Sequence, residues 1–383
     1  MLDAVIVGGG PVGLFLGLLL ARRGLQVQVL ERQPQPGTHS RAIGLHPPAL
    51  RALDAAGVGD SLRAAGRPIR RAAVIGDRGL VGELDFGGVP GGPVLSLPQR
   101  DTERLLAGHL AACAPGTLRR SVEVTAVQDQ GDHVAVTACT PAGPDVIRAR
   151  WVVGADGTRS AVRTLLGVPY PGGTYPDTYL MGDFPDTTAY RDQAVIFLTP
   201  GGVVESFPLP SGERRWVART DRLQRGATPQ DLTALVRRRT GVYLPADECL
   251  MLSPFGVGRH LARRFVTGRV ILIGDAAHEV SPIGGQGMNL GWLDAEALAP
   301  LLPDGSPAAL RTFGHQRRRA AALAIRQAEF NMFFGRPAAP WQRRGREAAL
   351  RALLTPALRP LLVQAFTMNW LRSARPGTTW PAS

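Results

Sequence analysis

Hydrophobic residues along this chain come in short blocks whose period changes from region to region. At the start, "AVIVG" (4–8) is short, apolar and β-branched, which predicts a strand. The residues after it stay apolar to about Arg23, and Pro11 stands where a first helical turn tolerates proline, so a helix follows. "LQVQVLE" (25–31) alternates and predicts a second strand. Strand, helix and strand in about thirty residues make a β-α-β unit. Two more helices are expected at Pro48–Ala56 and Asp101–Ala112, the second with Asp101 as its N-cap.

The middle of the chain alternates instead. "SVEVTAV", "HVAVTAC" and "VIRARWVVGADG" read as a meander whose last strand returns to the opening unit. From Tyr179 to Thr220, "TYLMGDF", "QAVIFLT", "GVVESFPL" and "RRWVART" are divided by the turn signals "TPGG" and "PSGE". They predict an antiparallel sheet that interrupts the α/β pattern. A helix at Gln230–Arg239 precedes the strand in "RVILIGDAAH", and the chain from Gly287 onward reads as helical, with pauses at "PDGSP" and "GRPAAP". The fold class is therefore α/β. A discontinuous Rossmann-type domain (1–75, 97–175, 262–305) would carry an inserted β-sheet substrate domain (76–96, 176–261) and C-terminal Arg-rich helices (306–383).

Composition narrows the chemistry. A chain of 383 residues is long enough for two joined domains. All 44 of its Lys+Arg residues are arginine, which excludes a Schiff-base lysine. Cys113, Cys139 and Cys249 form no CxxC pair, and the histidines have no metal-ligand spacing, so neither a dithiol centre nor a metal site is expected. Of the net charge of +13, the segment from Arg311 onward carries +11, from 13 arginines against Glu329 and Glu347. That segment reads either as surface helices or as a basic face for anionic lipid or an acidic partner. No nucleic-acid partner is expected. The uncharged run Ala4–Ala21 resembles neither a signal peptide nor a membrane span, because "MLD" precedes it and glycines interrupt it. The expectation is a soluble, cytoplasmic monomer or homodimer.

Three motifs carry the chemistry. "GGGPVG" supplies Gly8, Gly10 and Gly13 as GxGxxG between strand and helix, where the backbone can approach a pyrophosphate. Glu31 ends the next strand, placed to accept hydrogen bonds from a ribose. "VVGADGTRSAVR" follows a second apolar strand and contains Asp156. "LIGDAAHEVSPIGGQGMNLGW" places Asp275 at a strand end, with Pro282, Gly284, Gly285 and Gly287 before a helix. Glycines at that density let a chain lie flat against a bulky ligand. Backbone N–H groups at the helix start suit a ligand that gains negative charge.

In this order the motifs resemble those of the single-component FAD-dependent aromatic monooxygenases with the para-hydroxybenzoate hydroxylase fold, over about residues 4–300. The resemblance implies that Gly8, Gly10, Gly13, Glu31 and the adjacent Arg32 hold the ADP half of FAD. Arg41 in "SRAIGL" would lie near the pyrophosphate and sugar chain, and Gln99 near the flavin ring. Asp156 belongs to a DG motif linked to FAD and NAD(P)H, and Asp275 would bind the ribityl chain. Pro282, Gly284 and Gly285 would form the catalytic surroundings of the ring, followed by Gly287, Met288 and Asn289. The implied reaction takes NAD(P)H and O2 and hydroxylates a phenolic, polycyclic or quinone-precursor aromatic through a flavin C4a-hydroperoxide. With no second GxGxxG, NAD(P)H would bind transiently at the surface. Candidate substrate contacts are Phe184, Phe197, Phe207, Trp216, Arg219 and His46, and no general base is assigned. His278 reads as structural or flavin-adjacent. Two alternatives stay open: a reductase or dehydrogenase of the same fold, and a non-catalytic flavoprotein that binds a small molecule.

Overall fold

The structure, a computed structural model, describes residues 1–37 and 42–370. Its first sheet grows from the opening β-α-β unit. Leu2–Val7 lies parallel to Val27–Glu31 on one side and to the second half of Gly143–Gly154 on the other. Val270–Leu272 and Leu118–Arg120 extend the sheet in parallel at its flanks. Val7, Glu31, Gly154 and Leu272 therefore finish at one edge of the sheet. In open parallel sheets that carboxyl edge is where ligands bind. The first half of Gly143–Gly154 leaves the parallel sheet and pairs antiparallel with Val134–Thr140, which pairs with Glu123–Asp129 as the expected meander.

The helix Pro11–Ala21 is buried from Val12 to Leu20, with no polar face. A helix that is apolar all round must be covered on every side. It packs against its sheet and against the helices Gln99–Cys113 and Gln286–Leu298. The helix Gln99–Cys113 starts before Asp101, and Pro98 is its N-cap. Asp101 instead stands in the first turn, where its charge suits the positive end of the helix dipole.

The second sheet has eight strands. Its central order is Met251–Leu261, Gly172–Pro185, Glu213–Thr220, Gly202–Pro208 and Gln193–Thr199. Neighbours here are antiparallel, as the turn signals predicted, but Gln193–Thr199 runs parallel to Arg71–Gly76. Strand pairing in this sheet thus begins at Arg71 and again at Gly172, a few residues before the sequence boundaries at 76 and 176. One face is covered by the helix Pro229–Thr240, which starts on a Thr228–Asp231 capping box and stops at left-handed Gly241. The other face packs in part against Ile283, Met332 and Leu350.

Three helices close the described chain: Pro307–Gly335, Pro340–Leu353 and Arg359–Phe366. They are fastened by arginines. Arg317 meets Asp294 at 2.6 Å, Arg336 meets Asp177 at 2.6 Å and Arg343 meets Asp77 at 2.7 Å. Part of the basic charge seen in the sequence is therefore internal fastening. Among the described residues no helix is long and apolar enough to cross a membrane.

Candidate functional site

A cavity of about 690 Å³ opens along the carboxyl edge of the first sheet and continues to the face of the second sheet opposite the helix Pro229–Thr240. That volume lies in the range of small-molecule and cofactor sites. Gly8, Gly10, Glu31 and Arg32 border one end of it. Gly8 has φ +110°, and a Cβ there would overlap the Ala155 carbonyl and the Asp156 Cα. The glycine motif and the GADG motif are therefore in direct contact. A Cβ on Gly13 would run into the Gly8 carbonyl, so this glycine sets how closely helix and strand pack and does not itself border the cavity.

Gly10 is the N-cap of Pro11–Ala21 and provides no side-chain cap, and the space where its Cβ would stand is empty. The first-turn N–H groups are thus left open to an anion. Glu31 is held by two backbone donors: Gly9 N–H donates to Oε2 at 2.7 Å and Gln33 N–H to Oε1 at 2.8 Å. A carboxylate has further lone pairs, so Glu31 can still accept from a ribose hydroxyl. Arg41 lies outside the described residues. Gln99 opens its helix at the cavity, and its Nε2 donates to Glu103 Oε1 at 2.8 Å. Asp156 also borders the cavity. It accepts the Ser160 hydroxyl at 2.6 Å and the Val162 N–H at 3.1 Å, and burial raises its pKa. Its carboxylate holds the turn that leads into the helix Ala161–Leu165.

The third motif is anchored from beneath. Gly274 N–H and His278 Nε2 meet Asp294 Oδ2 at 3.0 and 2.6 Å, and Arg317 Nε donates to Asp294 Oδ1 at 2.6 Å. Burial alone would raise the Asp294 pKa, but His278 and Arg317 hold it below the ordinary carboxylate value. His278 is accordingly a structural bridge. Asp275 faces the cavity, enclosed by protein although open to the water within it, and burial pushes its carboxyl up to about 6. Its backbone carbonyl accepts the Tyr170 hydroxyl at 2.8 Å, while among the described residues nothing hydrogen-bonds to its carboxylate. An unmet acceptor at this place fits the hydroxyls of a ribityl chain.

Pro282, Gly284, Gly285, Gly287 and Met288 border the cavity beyond Asp275. Gly285, at φ +67°, is the N-cap of Gln286–Leu298 and again offers no side-chain cap. Asn289 stands behind this loop. It accepts the His46 N–H at 2.8 Å and donates to the Gly44 and Gly285 carbonyls at 2.8 and 2.7 Å. His46 lies beside Gly285 at the cavity, and burial lowers its pKa to about 4, so its imidazole is neutral at neutral pH. Two open helix starts, a held Glu31 and an unmet Asp275 around one space fit FAD.

The second sheet supplies the remaining wall through one set of alternate side chains. Met181, Glu205, Phe207, Arg215, Val217 and Phe255 border the cavity. Of the aromatic residues singled out in the sequence, only Phe207 is among them. Phe184, Phe197 and Trp216 have the opposite parity and pack with Leu232, Leu235 and Val236 of the covering helix. Arg219 is bound to Asp177 at 3.2 Å and Asp221 at 2.8 Å and does not border the cavity. Arg215 does, with Nε and Nη2 on the two oxygens of Asp183 at 2.7 and 2.8 Å. Sequence reasoning missed both Glu205 and Phe366, which borders the cavity from the last described helix. Glu205 left a signal, as a lone acid inside the apolar strand "GVVESFPL"; Phe366 left none.

Residues 1–328 match the family described as FAD binding domain. The chain is 32% identical over 348 residues to the 12-dehydrotetracycline 5-monooxygenase/anhydrotetracycline 6-monooxygenase of Streptomyces rimosus, covering 85% of this chain and 68% of that one. It is 33% identical over 349 residues to a rifampicin monooxygenase of Streptomyces venezuelae, covering 85% of this chain and 70% of the relative. The solved p-nitrophenol 4-monooxygenase of Pseudomonas putida aligns with a TM-score of 0.88 at 27% identity, covering 96% of this chain and 98% of that one. The motif order, the cavity built for a dinucleotide and these matches agree: the chain belongs to the FAD-dependent aromatic monooxygenases.

Proposed function

We propose that the chain uses NAD(P)H and O2 to hydroxylate a phenolic, polycyclic or quinone-precursor aromatic held between the Pro282–Gly285 loop and the cavity-lining side chains of the second sheet. The observation that carries this reading is the continuity of the cavity. It runs without a break from Gly8 and Gly10 to Met181, Phe207, Val217 and Phe255, so cofactor frame and apolar wall share one space. FAD, when bound, supplies the redox chemistry that activates O2. The chain's own residues hold and orient. The helix starting at Pro11 receives the pyrophosphate, Glu31 a ribose, and Asp275 the ribityl hydroxyls. The N–H groups at Gly287 and Met288 favour negative charge on the ring edge. The apolar sheet face excludes water from the reacting ring. The compounds in the relatives' names, 12-dehydrotetracycline, anhydrotetracycline and rifampicin, support a polycyclic substrate.

The test is anaerobic. FAD-loaded protein is mixed with NADPH or NADH, and loss of the flavin absorption band is followed with and without a panel of phenols and hydroxyquinones. Bleaching strongly accelerated by a panel compound, followed by an oxygenated product once O2 is admitted, is the expected result. Product formed without O2 would instead identify a reductase. No bleaching under any condition would overturn the monooxygenase reading and leave a binding protein or a reductase fed by another donor.

A further inference from the structure

Glu205 is the one acid in the strand Gly202–Pro208, and it points into the cavity between Val203 and Phe207 on the same face. Its cross-strand partners are Ile196 and Val217. Val203 and Val217 belong to one apolar cluster with Ile283, the residue between Pro282 and Gly284 in the glycine loop. A carboxylate has thus been set in the apolar wall at the place where that wall meets the loop expected to carry the flavin ring. Among the described residues nothing hydrogen-bonds or ion-pairs with it. An uncompensated carboxyl in an apolar wall costs stability unless a ligand meets it.

We propose that Glu205 is the substrate's proton acceptor: its carboxylate takes the proton of a phenolic or enolic hydroxyl on the ring to be oxygenated. The O–H bond breaks, the proton goes to a Glu205 carboxyl oxygen, and the electron pair stays on the substrate oxygen, where it enriches the ring. The proton then passes to water at the cavity mouth. This inference rests on the hydroxylase reading above and adds the residue that reading lacks.

The surroundings suit the task. Burial raises the Glu205 carboxyl to about 7, so it can both take and release a proton near neutral pH. On the same face the neighbouring strands carry Tyr175, Asp177, Tyr179, Asp183, Glu213, Arg215 and Arg219. The C-terminal helices that pack on it bring Arg336, Arg343, Arg344, Arg346, Glu347 and Arg351. Asp183 binds Arg215, and Asp177 binds both Arg219 and Arg336. Arg346 donates to the Phe334 and Arg336 carbonyls. Burial raises the Tyr179 pKa, and the Glu205 charge raises it further, so Tyr179 stays neutral. Among the described residues no arginine pairs with Glu205, which leaves its carboxylate for a ligand.

The experiment compares the FAD-loaded wild type with E205Q on phenols graded in acidity by ring fluorination, ending in a nitrophenol that is already ionised at the assay pH. Substrate binding is read by difference absorption, and turnover by product. For the least acidic phenol, E205Q should lower kcat by about a hundredfold, the scale of a lost general base. The loss should shrink along the series and vanish for the ionised phenol. Wild-type turnover of the weak acids should fall as pH drops through about 7, and E205Q should lack that limb. An equal loss for every phenol would reduce Glu205 to a positioning residue and overturn the proposal. So would E205Q turnover matching wild type across the series. If the wild type oxygenates no phenol at all, the hydroxylase reading falls together with this one.

Discussion

The two faces of the second sheet are made by the same strands and have opposite fates. Neighbouring arginines show it. Arg214 turns to the helix-covered side, where it lies 3.0 Å from Asp186 and donates to the Arg191 and Gln193 carbonyls at 2.7 and 3.1 Å. Arg215, one residue on, turns to the cavity and is held by Asp183. On the covered side Phe197 stacks on Trp216 with ring centroids 6.1 Å apart, and Phe184 and Trp216 are fully buried. On the cavity side Phe207 and Glu205 are only partly covered. The helix Pro229–Thr240 covers one face; the other is covered in part by Ile283, Met332 and Leu350, and the patch around Phe207 and Glu205 is left for a ligand. Stability should therefore reside in the covered face and recognition in the open one, although both are built from aromatic and β-branched residues.

Truncation separates the two. Trp216→Ala should lose about 3–5 kcal/mol, the usual cost of emptying a packed aromatic site. A urea midpoint measures this, and the fraction that remains folded should keep its substrate affinity. Unchanged stability with lost affinity would reverse the assignment of faces. Phe207→Ala should do the opposite on a smaller scale, weakening substrate binding about tenfold, or roughly 1.4 kcal/mol. Its midpoint should move much less than that of Trp216→Ala, because Phe207 already borders open space. Binding is read by the anaerobic bleaching titration with a panel compound that accelerates reduction.

The fold was legible where one period rule sufficed. GxGxxG, Glu31, GADG and the third motif each stand at the end of a parallel strand, and parallel strands end together, so the four converge with no further information. The strand "QAVIFLT" was read with its observed bounds. The substrate wall was harder, because alternation shows that a strand has two faces and not which of them meets the ligand. Phe184, Phe197 and Trp216 looked like pocket residues by type, but their parity gives them to the helix Pro229–Thr240. Phe366 had no chance of being found, since its place depends on how the last helices pack across the chain. Pairing within the basic tail was equally invisible: Arg317, Arg336 and Arg343 read only as charge in the sequence, and their partners Asp294, Asp177 and Asp77 lie on other elements.

Asp275 gives the smallest effect and the sharpest test, because its sign differs between the empty and loaded protein. Enclosure lifts its carboxyl from 3.8 to about 6. A raised carboxyl pKa means that the folded state binds a proton more tightly than the unfolded one, so stability of the FAD-free protein falls as pH rises from 3.8 to about 6, then stays level. Asp275→Asn removes that cost. The FAD-free variant should melt slightly above wild type at about pH 7 and level with it near pH 4, where both side chains are neutral. With FAD the order should reverse, because an amide oxygen is a weaker acceptor for a hydroxyl than a carboxylate. A lower Tm for the FAD-free variant at neutral pH would mean that the carboxylate supports the fold. Asp275 would then belong with the covered face of the second sheet, as a residue that stabilises, and not with the open one, where the cost of an unmet group is recovered only on binding.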